Sequence, residues 1–452
     1  MERACSRPLF PWERDRVGGP HPSPLPEGEG VGTSAMLCVT LLLACALLAS
    51  CQCNQRPADV GVDTDADANG DANADSDIDI DIDIDIDIVG EGDIEPDAEE
   101  PELCRGAGPV WSWPPCSDEP TPPDCCPACR RLTCRELVTS VSDSASIWSD
   151  LVVFGHGREI DLVDLSTGDD TIIFESWRDS DFDIGYFHPA ISSRYVMANR
   201  QHQPTNISIN DVRQAMVYRR LDDPSGLEII LEDSHPDSTY AWVRAYDEWV
   251  IWLRHSPSTR LNELVLHNIE TSEQRILDQD RAGHGIRGPG IWGDRVVWGT
   301  RDEVKGETLV EHRISTNTTR DVITDPALEP MYMTSVWEHY AVFNHQPWDS
   351  DWNVMLVDLD TGEVRQITPS GSNQEQGYIQ GGRVIWTDYR GSEDVYPAGM
   401  HIYIYSLRTG REYVLNPSAR GGCEPLIFGQ NVIWEGDWEG HGGPWVTRIG
   451  DI

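Results

Sequence analysis

The chain is 452 residues long and 39% apolar, with 34 basic against 77 acidic side chains and a formal charge of −43. That apolar share supports a sizeable core, and the length admits either two or three average domains or one large all-β ring. A surface so acidic repels phosphate backbones and anionic headgroups, which argues against a nucleic-acid partner. Much of the acidic excess is concentrated in one run near the N-terminus, so the folded part is less extreme.

Residues 36–51, MLCVTLLLACALLASC, make an apolar run of signal-peptide length, too short to span a bilayer comfortably. The stretch before it, 1–35, is Pro/Gly-rich and unlike a signal n-region, so Met36 is the expected start and 1–35 a mis-called extension. Leu48-Ala49-Ser50-Cys51 resembles the bacterial lipobox. That resemblance implies a signal peptide over 36–50, cleavage before Cys51, lipidation of its thiol, and attachment to the membrane through acyl chains only. Gln52, where an inner-membrane lipoprotein would carry Asp, implies the outer membrane, periplasmic or surface-exposed. A plain secretory signal with an incidental cysteine is the alternative.

Residues 51–102 hold an acidic low-complexity run whose core is DIDIDIDIDIDI. Like charges repel and few large side chains offset the cost of ordering, so a disordered, extended tether is expected. Asp65, Asp67, Asn69 and Gly70 match the early places of an EF-hand-like calcium loop, but Ser76 stands where the bidentate Glu belongs.

A Cys-rich segment follows over 103–134, with Cys104, Cys116, Cys125, Cys126, Cys129 and Cys134. The Cys126-x-x-Cys129 spacing invites zinc, yet no second such pair follows at ribbon spacing. Six cysteines in an exported chain read as three disulfides stapling a segment too small for its own core. Connectivity is not deducible, and Cys53 and Cys423 are left over.

From residue 135 to 452 one phrase recurs. LVDLSTGDDTIIF at 162, LVDLDTGEVRQIT at 356 and IYSLRTGREYVLN at 404 each read strand, tight turn, strand. Thr-Gly at 167–168, 361–362 and 409–410, Ser225-Gly226 and Thr316-Asn317 supply the turn residue able to take a positive φ. Upstream of each phrase lies an apolar strand: LVVF, RYVM, WVIW, RVVW, YAVF, RVIW and NVIW. Aligned at Val152, Tyr195, Val250, Val296, Ala341, Val384 and Val432, these recur every 43 to 55 residues. With one further strand before each, the unit is four strands in about 45 residues, a propeller blade. Seven units are present and the last lacks its fourth strand, so RELVTSV at 135–141 is expected to close the ring. The fold class is therefore all-β: a seven-bladed propeller of four-stranded blades behind a tether and a small Cys-rich segment. Trp252, Trp298, Trp386 and Trp434 recur at one blade position and are expected in the core.

GDRVVW followed by IYSLRTGRE-type hairpins resembles the TolB-like propeller repeats of bacterial periplasmic and surface proteins. The layout is similar to surface lipoproteins of myxobacteria-type bacteria. The resemblance implies fold rather than activity. It suggests a non-enzymatic binding or scaffold module for an envelope protein or glycan. The alternative is a metal-assisted polysaccharide lyase or hydrolase, since oligogalacturonate lyase is similar in using such a propeller with histidine ligands. No Gly-x-Ser-x-Gly elbow, Walker A, dinucleotide fingerprint or HExxH occurs, so neither catalytic residues nor a resident cofactor is assigned beyond a possible divalent metal.

Loops joining the second to the third strand of each blade share a face with the connectors between blades. Those loops carry His156, Arg200, His202, Arg254, His255, Arg301, Asp302, His345, Asp388 and Arg390. Neutral imidazole is a metal ligand and a near-neutral acid or base, so these are the candidate ligand-face residues. Polar loop decoration is the competing account.

Overall fold

A computed structural model describes residues 130–131 and 145–450, apart from loop positions 157, 180–181, 206–211, 234–237, 257, 260, 282–284, 303–305, 326–331, 348–350, 369–370, 391–399, 416–419 and 439–440. It is a seven-bladed β-propeller. Blade 1 is Ala145–Trp148, Leu151–His156, Glu159–Asp164 and Asp169–Phe174; blade 2 is Phe182–Ile191, Tyr195–Pro204, Arg213–Arg220 and Ile229–Asp233. Blade 3 is Thr239–Tyr246, Trp249–Ser256, Leu261–Asn268 and Gln274–Arg281; blade 4 is Arg287–Trp292, Arg295–Asp302, Gly306–Arg313 and Thr318–Asp325. Blade 5 is Tyr332–Trp337, Tyr340–His345, Asn353–Asp358 and Val364–Gln366; blade 6 is Gln374–Gln380, Arg383–Asp388, His401–Ser406 and Arg411–Val414. Blade 7 is Arg420–Phe428, Asn431–Trp438 and His441–Arg448, completed by Arg130–Arg131. Every sheet is antiparallel, and its first strand lies innermost.

The apolar runs are continuous because a blade is covered on both faces. In LVVF, Val152 and Phe154 pack toward blade 7, while Val153 between them packs toward blade 2. One apolar cluster fills each interface between neighbouring blades, and the seventh joins blade 7 to blade 1 through Ile433, Val446, Ile147 and Val163. Trp252, Trp298, Trp386 and Trp434 are buried as expected. Phe154, Ala198 and Phe343 take the same position in the other blades.

Turn chemistry follows the expected pattern. Gly168, Gly362 and Gly410 hold φ of 78°, 79° and 67°, and Asn317 holds 52°. Two details of the repeat differ from the sequence reading. In blade 2 the residue equivalent to Val152 is Val196, not Tyr195, since Ile191 pairs with Val196 as Ile147 pairs with Val152. Gly226 does not take positive φ, because the blade 2 turn is a longer one bridged between Arg220 and Asp223. In blade 3 the left-handed place is taken by Ser272, φ 57°, which carries no glycine signal.

The ring closes with an N-terminal strand, but not the expected one. Arg130 pairs with Val446 and Arg131 with Trp445, filling the empty fourth place of blade 7. RELVTSV at 135–141 lies outside the described residues. An outer strand is held by backbone hydrogen bonds, so two arginines serve as well as an apolar pattern that resembles another blade's fourth strand. Side chains reinforce the seam: Asn431 Nδ2 donates to Ser149 O at 3.0 Å and Asp150 Oδ1 at 2.9 Å, and Arg448 Nη2 meets Asp150 Oδ1 at 2.8 Å.

A charged knot ties blade 4 to blade 5. The fully buried Glu311 carboxylate receives Arg295 at 2.9 Å, Arg313 at 2.8 Å and Arg320 at 2.6 Å. Arg295 and Arg313 also reach Asp360 in the next blade's hairpin turn, and the Arg295 hydrogen bond holds the Asp360 carboxyl below the usual range. Glu311→Ala opens a buried hole and leaves the barely exposed Arg295 with Asp360 as its one remaining carboxylate partner. It is expected to cost about 3–5 kcal/mol, read as a lower midpoint in denaturant unfolding; an unchanged midpoint would contradict this account.

Candidate functional site

The propeller has two unlike faces. Hairpin turns within blades lie on one, here the turn face. The loops between second and third strands lie on the other with the inter-blade connectors, here the connector face.

At the turn face the axis is plugged. Trp148, Tyr246, Trp292 and Phe428 end the inner strands of blades 1, 3, 4 and 7. Their rings meet across the axis: Trp148 lies 5.4 Å from Tyr246, 6.2 Å from Trp292 and 5.0 Å from Phe428, and Tyr246 lies 4.8 Å from Trp292. Behind this floor Arg244 of blade 3 donates Nη1 to the Val243 carbonyl at 2.9 Å and senses Tyr378 of blade 6 and Glu424 of blade 7. Burial lowers the Arg244 pKa, while those two oxygens counteract it; burial likewise raises the Tyr378 pKa. Four inner strands bulge around the axis with a non-glycine residue in left-handed backbone, His188, Trp242, Gln376 and Glu424. Such residues store roughly 1–3 kcal/mol each and concentrate where a fold carries out work.

On the connector face blade 2 stands taller than the rest. Its inner and second strands, ten residues each, are the longest of their kind among the described residues. A short extra strand, Trp177–Arg178, pairs Trp177 with Ile184 and Arg178 with Asp183. The tip is fastened by Asp179 N to Phe182 O at 2.9 Å and Phe182 N to Asp179 Oδ1 at 2.8 Å. Arg158 of blade 1 lies across Gly185, where a Cβ would fall 2.4 Å from its Nε, and pairs with Asp183. Lack of a side chain at Gly185 thus lets blade 1 brace the rim.

The rim presents Trp177 at 53% exposure and Phe182 at 37%, with Phe182 stacked on His202 at 4.4 Å. Arg178 and Arg213 are exposed beside them. Burial lowers the His202 pKa, and the cations Arg200 and Arg213 lower it further, so the ring is neutral at pH 7. Arg200 is held by Glu228 at 2.5 Å. The arrangement offers open π faces beside guanidinium donors, the residue types that dominate recognition surfaces. It can grip the face of a sugar ring or a planar side chain.

The other candidate residues are held within local networks. His255 Nδ1 meets Asn262 Oδ1 at 2.6 Å, and Arg254 bridges Glu232 of blade 2 and Glu263. Arg301 lies 3.8 Å from Oε1 of the buried Glu307, and Arg287 approaches the same oxygen to 3.9 Å. His345 is buried opposite Asn353. Asp388 accepts Trp386 Nε1 at 2.9 Å and pairs with Arg390 at 2.8 Å, and Arg390 also pairs with Glu412 and lies over the Tyr403 ring at 4.2 Å. The side chains of His156 and Asp302 lie outside the described residues. Among the described residues no group of three or more His, Cys, Asp or Glu could hold a metal ion. Trp177 and Phe182 were absent from the sequence-based candidates; a tryptophan in a connector, outside the repeating strand signature, was the available signal.

No protein-family model matches the chain, and no curated protein matches it. Among solved structures it is similar to oligogalacturonate lyase in complex with manganese, at 11% identity and TM-score 0.40, covering 67% of this chain and 74% of that one. It is similar to the β-propeller domain of the Trilobed protease from Pyrococcus furiosus, at 10% identity and TM-score 0.47, covering 67% and 94%. It is also similar to TolB from Acinetobacter baumannii, at 11% identity and TM-score 0.36, covering 69% and 79%. The chain spans 51% of the puromycin hydrolase structure it matches as well. Likeness at such identities concerns fold alone.

Acid sensitivity follows from the buried imidazoles. Burial is the leading cause that lowers His202, His267 and His312 below 6.5, so the unfolded chain takes up these protons first as pH falls. Their contribution to stability is complete above about pH 6.5 and declines below it. The His202 ring signals in an NMR titration should show a midpoint under 6.5; a midpoint at or above that value would refute the assigned environment.

Proposed function

We propose that this chain is a non-enzymatic recognition propeller of the bacterial envelope. In this reading Cys51 carries the lipid anchor, residues 51–102 hold the ring away from the outer membrane, and the connector face meets an envelope protein or glycan. The observation that carries the reading is the rim of blade 2, where Trp177 stands half exposed on an extra strand beside the Phe182–His202 stack. Exposure of one apolar residue is ordinary, but an exposed tryptophan fastened on a raised edge by hydrogen bonds is a preorganised contact. The networks around His255, Arg301 and Asp388 support the same reading, since they commit the other candidate side chains to the scaffold.

Two experiments test it. Immobilised envelope polysaccharides and envelope proteins are titrated with the purified protein, wild type and Trp177→Ala. The variant is expected to keep the wild-type melting temperature and bind at least tenfold more weakly; equal affinity would sink the assignment of the rim. Separately, Cys51→Ser should abolish acyl labelling and release the protein from the membrane fraction, and unchanged membrane association would overturn the anchor.

A further inference from the structure

Blade 2 rises above blade 1, and one hydrogen bond fixes by how much: Tyr186 N donates to Arg158 O of the blade 1 loop at 2.8 Å. Ile184 and Phe182, two and four residues nearer the tip of the same strand, stand about 7 and 13 Å above that contact. At this height the sheet carries a transverse row. Trp177 pairs with Ile184, Ile184 with His202, and His202 with Arg213. Directly opposed residues of an antiparallel sheet share a face, so these four side chains stand on one side of the blade, and Phe182 joins them. The Phe182–His202 stack fits that register. Lower down the same face packs on blade 1, where Tyr186 lies 5.0 Å from Phe174. Three strand spacings separate Trp177 from Arg213, or about 14 Å.

Two further features indicate what covers this face. Arg213, and Arg178 next to Trp177, are exposed, and among the described residues neither has a carboxylate partner. Asp183, opposite Arg178, is taken by Arg158, Asp179 holds Phe182 N, and Glu228 holds Arg200. In a chain of formal charge −43, two guanidiniums so placed call for acids from another molecule. The second feature is an edge. Trp177–Arg178 lies on the axial side of the inner strand and ends its sheet, and its far edge is unpaired among the described residues. A strand edge takes an added strand, which a peptide supplies and a glycan does not.

We propose that the blade 2 rim takes an extended acidic peptide segment of a partner protein. The inference rests on the rim being a recognition surface and names what that surface holds. Backbone pairing fastens the segment beside Trp177, its apolar side chains cross Ile184 and the Phe182–His202 stack, and carboxylates meet Arg178 and Arg213. The span between the arginines corresponds to about four extended residues.

The purified full chain is used to select from a random-peptide library displayed on phage. Enriched peptides are expected to carry an aromatic or aliphatic residue and two acids about four residues apart. A synthetic consensus peptide should bind Arg178→Gln and Arg213→Gln more weakly by about fivefold or more, and bind the wild type more weakly as salt rises. Both side chains are exposed, so the melting temperatures should stay at the wild-type value. Arg213→Glu should prefer a peptide with Lys in place of the acid it faces. No enrichment, peptides without acids, or binding indifferent to both arginines overturns the proposal. Immobilised alginate, an anionic polysaccharide, is the second probe. Retention on alginate that is lost in Trp177→Ala, with no peptide enriched, overturns the peptide and leaves the rim as a recognition surface. Consensus peptide held at wild-type strength by Trp177→Ala removes the rim itself.

Discussion

Ring closure is the constraint on which the rest of this structure depends. Each blade is a four-stranded sheet with two apolar faces, and neither face is covered until both neighbours are present. Val152 and Val153 make the point: adjacent in sequence, they belong to different interfaces. A blade at an open end would expose one whole face and an unpaired edge. The seam between blades 7 and 1 therefore supports all seven interfaces at once. Here it is built from an apolar cluster, a two-residue strand, and the Asn431, Arg448 and Asp150 contacts.

That constraint explains why so much of the fold was legible. Repetition multiplies a weak signal: one apolar run such as RVIW is ambiguous between strand and helix, but seven at similar spacing are not. Thr-Gly dipeptides marked hairpins because few residues tolerate φ near 78°. Ser272 escaped notice because serine enters that region without advertising it. The closing strand escaped for a related reason. Arg130 and Arg131 carry no apolar strand pattern, and the backbone ladder with Val446 and Trp445 places them.

The candidate site was less legible, and the reason is also physical. Histidines on the loops were attractive because their chemistry is versatile, yet side-chain direction and neighbours decide whether they meet. His255 faces Asn262 across its own sheet, and Asp388 is consumed by Trp386 and Arg390. What sets blade 2 apart is a departure from the repeat: longer strands, an added strand, and Ala198 where other blades place a large aromatic. A pattern search finds what the blades share, whereas individuality in a propeller resides in what one blade does alone.

The plug of Trp148, Tyr246, Trp292 and Phe428 has a mechanical corollary. Its rings come from four blades and touch across the middle, so the hub behaves as an interlocking bearing rather than an empty bore. Tilting any one of those blades forces its ring against rings borne by others on the far side. Force applied to one of these four blades would then be shared among them instead of flexing one sheet.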